Sequence, residues 1–432
     1  DGYAATSASA VVTVTAAAGA TLNFTDFADG NSGATVGAIS YSTRNSLVGN
    51  SKADTFTLKG KIGQTVHTVT GNGGTDVLNA TLSASDTDFS GISVETLNLT
   101  VAEEATAGFD NTTEDAGLNT ATTINILGGN SLSTFTVGTA ATIDDGSSAQ
   151  VIDASTFNGK IDLTLAEDAF DSTLTIKGGA NTKDKVTFAN AGTDNKIASM
   201  SGIEILKINS KNTDTATKAD LSNVTGLTTV EANYVTAGGA DEIEIAKFPT
   251  GVTLKVSYTE AEDDLVIGMA DASDDDTTLS IEMTAGTAND DIDIDIAGLE
   301  FLTIDTKDSV GGDYDLAGVS GTGSNKVSLT LKGKAAELET LNEDITTVDA
   351  SAMTGGLTLL AANRPDVAMT ITGGLGDDTL SMEHKDDVID AGVGTNTLNL
   401  SANGVLGGWA VDLTSTTDQI TTFAGAANSA VQ

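Results

Sequence analysis

The chain predicts an all-β fold, a parallel β-roll or β-helix solenoid, and three observations carry that expectation. Three nine-residue frames run end to end from Gly373 to Asn399. Short segments of alternating apolar and polar residues recur along the chain, each too short to bury a face alone. Aromatic residues make up 4% of 432 residues and prolines number two, Pro249 and Pro365. That composition suits narrow cores of Ile, Leu, Val and Thr between stacked strands rather than a core of large rings.

The first frame, Gly373-Gly374-Leu375-Gly376-Asp377-Asp378-Thr379-Leu380-Ser381, fits the pattern G-G-x-G-x-D-x-U-x at every fixed position. The second, Met382 to Asp390, keeps Asp387 and Ile389. The third, Ala391 to Asn399, keeps Gly392, Gly394 and Leu398. Asp378, Asp387 and Asn396 therefore recur every nine residues, as do Leu380, Ile389 and Leu398. Six residues of such a frame turn the chain and offer oxygens, and three form a strand whose U residue enters the core. Two frames make one coil, so the turns at 373 and 391 are expected to stack on one edge. A hard cation wanting six to eight oxygens, Ca2+, fits between them. The ligands expected are the side chains of Asp378 and Asn396, with main-chain carbonyls near Gly373, Leu375, Ala391 and Val393. The middle turn holds no glycine, so its aspartates are expected to be solvated.

Elsewhere the pattern weakens. Gly71-Asn72-Gly73-Gly74-Thr75-Asp76 departs once, and Gly49 to Asp54 is degraded; Asp54 and Asp76 are spaced for one larger coil. Gly71, Gly73, Asp76 and Asp54 stay open between calcium and a plain turn. In Gly178 to Asp184 the neighbouring lysines, Lys183 and Lys185, oppose a cation and favour a plain turn. Asp241, Asp290 and Asp291 precede strands in acidic clusters and stay equally open, whereas Asp274 to Asp276 reads as a solvated loop.

Two longer repeats accompany the frames. One, Φ-x-G-Φ-E-x-L-x-I in consensus, occurs at Ile92–Leu99, Gly202–Ile208 and Gly298–Ile304, and is expected as a strand buried on one face. The other, Φ-D-A-S-x-Φ-x-G, occurs at Ile152–Leu163 and Val348–Leu359, and more loosely from Asp220. It predicts strand, tight Asp/Ser turn, strand. The alternation over Ala4–Ala20 also reads as strand. The first 45 residues carry no clear repeat, so 1–45 is expected as a separate, sandwich-like β segment ahead of a solenoid over 46–432.

Lys+Arg 20 against Asp+Glu 61 gives a net charge of -41, which argues against nucleic acid and anionic lipid as partners and for cations. No apolar stretch reaches the ~20 residues that span a bilayer, so no membrane insertion is expected. There is no cysteine, so cations are the available staple. The two histidines, His67 and His384, stand in no metal-ligand spacing, the only arginines are Arg44 and Arg364, and Trp409 stands alone. No nucleophile-base pair is marked out, and an enzyme is not expected.

The nonapeptides resemble the RTX (repeats-in-toxin) β-roll of type I secreted proteins. The D-A-S-x-Φ-x-G and G-Φ-E-x-L-x-I rungs are similar to those of S-layer proteins and large adhesins of that export class. The resemblance implies an extracellular protein of the bacterial surface, folded by calcium outside the cell and self-assembled into an S-layer lattice. A segment of a large calcium-dependent adhesin is the alternative. It further implies a cell-surface polysaccharide as a partner, reached through a region that these motifs do not mark.

Overall fold

The computed structural model describes residues 21–23, 39–40, 45–49, 51–62, 67–83, 91–109, 121–138, 150–165, 174–188, 199–210, 217–234, 242–257, 263–272, 276–285, 291–307, 312–360, 367–384, 386–400 and 420–425. All regular structure among them is strand, and the strands pair in parallel, each returning to stack beside the one a coil earlier. The fold is the β-solenoid that the sequence predicts. Ala4–Ala20, Asp274, Asp275, Arg44, Arg364 and Trp409 lie outside the described residues.

The chain forms two compact units. The first comprises 1–189, 195–206 and 223–227, and the second 190–194, 207–222 and 228–432. In the first unit a nine-stranded sheet runs from Ile39–Ser40 to Val224–Thr225. Its register stacks Leu78, Leu97, Ile124, Ile152, Ile176, Met200 and Val224 into one column, all buried. Between these rungs the chain adds strands to a four-stranded sheet and then to another that contains Thr106–Phe109, Thr134–Val137 and Lys160–Leu165. Two strands per coil is the arithmetic of a roll. Of the 1–45 segment, Thr21–Asn23 pairs with Asn45–Val48 and Ile39–Ser40 pairs with Thr55–Ile62.

In the second unit a ten-stranded sheet ends at Ile420–Gly425. Ile292, Tyr314, Leu338, Leu359, Leu380 and Leu398 form a buried column in it. In the facing strands Leu279, Leu302, Leu329, Val348 and Ile371 form a second buried column, which half-exposed Ile389 continues. A fully buried Leu or Ile contributes about 1.5–3 kcal/mol, so these columns dominate the stability of each coil. The core is thin, which explains why few aromatic rings are needed.

Parallel sheets are ordinarily covered on both faces. Here the outward residues are half-exposed and form ladders of their own. Asn98 Nδ2 donates to Asn79 Oδ1 and Asn125 Nδ2 to Asn98 Oδ1, each at 2.8 Å. Lys177 pairs with Asp153 at 2.9 Å on the same sheet.

One expected strand is two. Ile92–Leu99 breaks at Val94-Glu95 into Gly91–Ser93 and Thr96–Val101, which belong to different sheets. The glycine-apolar-Glu motif is thus a corner, because its glutamate turns back toward the preceding coil. The D-A-S motif makes the expected tight turn after Asp153 and Asp220, whereas Asp349–Ser351 stays within the strand Ile345–Met353, whose register is irregular there. All three aspartates accept an N–H from the serine two residues on.

Candidate functional site

The nine-residue spacing folds as the arithmetic demands. Thr379–Met382 and Asn396–Leu400 are neighbours in one sheet, and Val388–Asp390 lies in the other beside Thr370–Thr372. Leu380 pairs with Leu398 and Ile371 with Ile389, so turns 18 residues apart stack. Gly373 N donates to Asp390 O and Val393 N to Gly374 O, closing one turn upon the next.

Asp378 is 1% exposed. Its Oδ1 accepts the N–H of Leu357 at 2.6 Å, and its Oδ2 accepts that of Gly374 at 2.9 Å. Burial raises its pKa; the charge of Asp377 adds to the rise, and the two N–H donors oppose it. Asn396, fully buried, repeats the arrangement one coil on: its Oδ1 accepts the N–H of Asp378, and its Nδ2 donates to the carbonyls of Ala391 and Gly392. Leu375 and Val393, at the turn tips, are exposed.

The same device recurs at Asp76 and Asp184. Asp76 Oδ1 accepts the N–H of Asp54, and Ile161 and Gly179 donate to the two oxygens of Asp184. Both aspartates are buried, and burial raises both pKa values. Glu95 and Asp54 push Asp76 further up, while Lys160 restrains Asp184. The leading glycine of the frame makes room for this carboxylate: a Cβ on Gly71 would lie 1.8 Å from Asp76 Oδ2, and one on Gly373 2.5 Å from Asp378 Oδ2. Gly73, the third residue of its frame, lies beside Ser51 of the preceding coil with ordinary spacing. The Gly-to-Asp register therefore has a structural cause, a buried carboxylate that caps turn amides.

Asp387 corrects an expectation. It is buried, not solvated, and accepts N–H groups from Met369 on Oδ1 and from Glu383 and His384 on Oδ2. Polar neighbours in sequence suggested solvent, yet two donors of a turn lacking glycine and one from the coil beneath still need an acceptor.

Glutamates extend the series, and the sequence reading missed them. Glu95 accepts the N–H of Asp76, Glu204 that of Asp184, and Glu300 that of Thr277. The signal was present as the invariant Glu of the corner repeat. Glu300→Ala leaves the buried Thr277 N–H without this acceptor, so a loss of about 1–3 kcal/mol is expected on chemical denaturation, with Glu300→Gln recovering most of it. A full loss in both variants would show that packing, not the hydrogen bond, matters there.

Asp241 and Asp290 lie outside the described residues, and of Asp291 only its backbone place in the strand Asp291–Ala297 is described. None of the three is assigned a ligand role. Among the described residues no group of three or more His, Cys, Asp or Glu side chains converges on one point. A cation at the tandem would therefore draw on main-chain and amide oxygens beside one carboxylate. The donors fit a hard cation in kind: each Asp378 oxygen accepts an N–H and has a second lone pair. The Ala391 carbonyl accepts the amide of Asn396 and, like the Asp378 oxygens, has a second lone pair.

Fold and turns together define a parallel β-solenoid whose coils are locked by buried side-chain acceptors. Comparison with protein-family models, with curated proteins and with solved structures returns no match.

Proposed function

We propose that this chain is a structural protein of the bacterial cell surface, an S-layer-type subunit stapled by calcium at its stacked turns and assembled with copies of itself into a sheet. The observation that carries the reading is the tandem of turns at Gly373–Asp378 and Ala391–Asn396, stacked 18 residues apart around a buried carboxylate. A buried carboxylate is ordinarily paired with a positive charge. The causes of the Asp378 shift include no cation, and Asp377 adds a second negative charge.

Calcium, when bound, supplies that positive charge. The part of the chain is to hold Asp378 and Asn396 in register and to keep water from them through the columns of Leu380 and Leu398. The ligand oxygens meet only in the folded roll, so binding free energy becomes folding free energy. The overall charge of -41 supports the same reading, because cations relieve the repulsion between coils.

Calcium titration of the chain, followed by circular dichroism, thermal unfolding and negative-stain imaging of the same samples, tests the proposal. A stabilisation of about 2.7 kcal/mol is expected at a hundredfold excess over Kd, with ordered sheets in the images. Stabilisation without sheets would favour the adhesin segment. No response to calcium would overturn the staple.

A further inference from the structure

The outer faces of the two sheets in the second unit carry opposite solutions to the same problem. In the strands that include Thr229–Asn233 and Val327–Gly333, the outward row Glu231, Lys255, Glu282, Asp305, Lys332 mixes signs. Lys255 and Lys307 approach Glu282 to 3.4 and 3.2 Å. On the ten-stranded sheet, Glu242, Asp264, Asp293 and Asp315 stand in register on four successive strands, and the row continues to Thr340. A second row, Asp291, Asp313 and Glu337, runs beside it. Parallel neighbours lie about 4.8 Å apart, so Asp264 and Asp293, in the middle of the row, face like charge on both sides.

We propose that the row Asp264–Asp293–Asp315 is a proton-operated clamp on this sheet: a proton shared within the row lets its three strands pack, and loss of that proton loosens them. The groups facing Asp293 are acidic on every side. Asp264 comes from one neighbouring strand, Asp313 and Asp315 from the other, and Asp295 from its own. Glu244, one strand further, is engaged by Lys218. Although Asp293 is exposed on the sheet face, desolvation by its packed neighbours, then the charges of Asp315 and Asp264, hold its carboxyl up at about 6, and its hydrogen bond with Asp264 acts in the same direction. The folded value lies above the ordinary 3.8, so the penalty is absent below about pH 4 and complete above about pH 6. Stability of these strands therefore rises as pH falls from neutrality.

Amide hydrogen exchange at about pH 7 and pH 5, corrected for intrinsic rates and run in chelator, tests the clamp separately from calcium. In the wild type, protection of Asp263–Met269, Asp291–Ala297 and Gly312–Leu316 is expected to rise severalfold on acidification, less than the roughly tenfold that a shift to about 6 gives over this range, because solvent screens the row. Asp293→Asn is expected to be flat with pH and already protected at pH 7. Asp315→Asn, which removes one neighbouring charge, is expected to move the midpoint lower. A wild-type profile in both variants would overturn the clamp, as would equal gains in the mixed-charge strands Thr253–Ser257 and Phe301–Thr306.

Discussion

Asp378→Ala is expected to lower the unfolding free energy by about 2–5 kcal/mol even in chelator, because it strips the acceptor from two buried amides, Leu357 and Gly374. Each orphaned donor costs about 1–3 kcal/mol. Asp378→Asn keeps one acceptor oxygen and turns an NH2 toward the other donor, so about half that loss is expected. The two variants then separate structure from ion binding. If calcium is held here, both lose the calcium-induced rise in Tm, although their chelator stabilities differ. Denaturant melts with and without calcium read both quantities. An unchanged chelator stability in Asp378→Ala would refute the capping account, and a full calcium shift in Asp378→Asn would remove the ion from this turn.

The next largest effect is expected from Gly394→Ala. Gly394 has φ 129°, and a Cβ there would meet Gly376 O at 2.1 Å and its carbonyl carbon at 2.7 Å. Both atoms are backbone of the coil beneath, so neither can rotate away. Backbone strain of about 1–3 kcal/mol adds to the clash, and a total loss of about 3 kcal/mol or more is expected. Gly323→Ala is the control: φ is also positive, at 62°, but nothing lies within 4 Å of the added carbon, so a loss of only about 1 kcal/mol is expected. Thermal unfolding of the pair decides it. Equal losses would mean that the turns are not packed backbone against backbone.

Parts of this molecule were legible in sequence because their period is fixed. The nine-residue register yielded the 18-residue coil, the pairing of Leu380 with Leu398 and the stacking of the turns at 373 and 391. The spacing of Asp54 and Asp76 likewise matched a rung that pairs Thr55 with Val77. What stayed hidden depends on coils of unequal length. Asp264, Asp293 and Asp315 are separated by 29 and then 22 residues, so no periodicity marks them as neighbours. The capping glutamates were visible as a repeat, but their targets lie in the preceding coil, at separations of 19, 20 and 23 residues. The aspartates were read for their charge, whereas the fold uses their oxygens as acceptors for main-chain amides.

Unequal coils have a practical meaning. The rung from Ile371 to Ile389 closes in 18 residues and that from Ile124 to Ile152 in 28, yet both keep their columns in register. Extra residues are absorbed outside the strands, and lengthening a flexible loop adds closure entropy only logarithmically, about 0.6 kcal/mol per doubling. The turn at Gly323 and Ser324, both exposed and with open space beside Gly323, is thus a natural cloning site. A foreign epitope spliced there would ride on the outside of an otherwise unaltered coil, and the protein becomes a display scaffold.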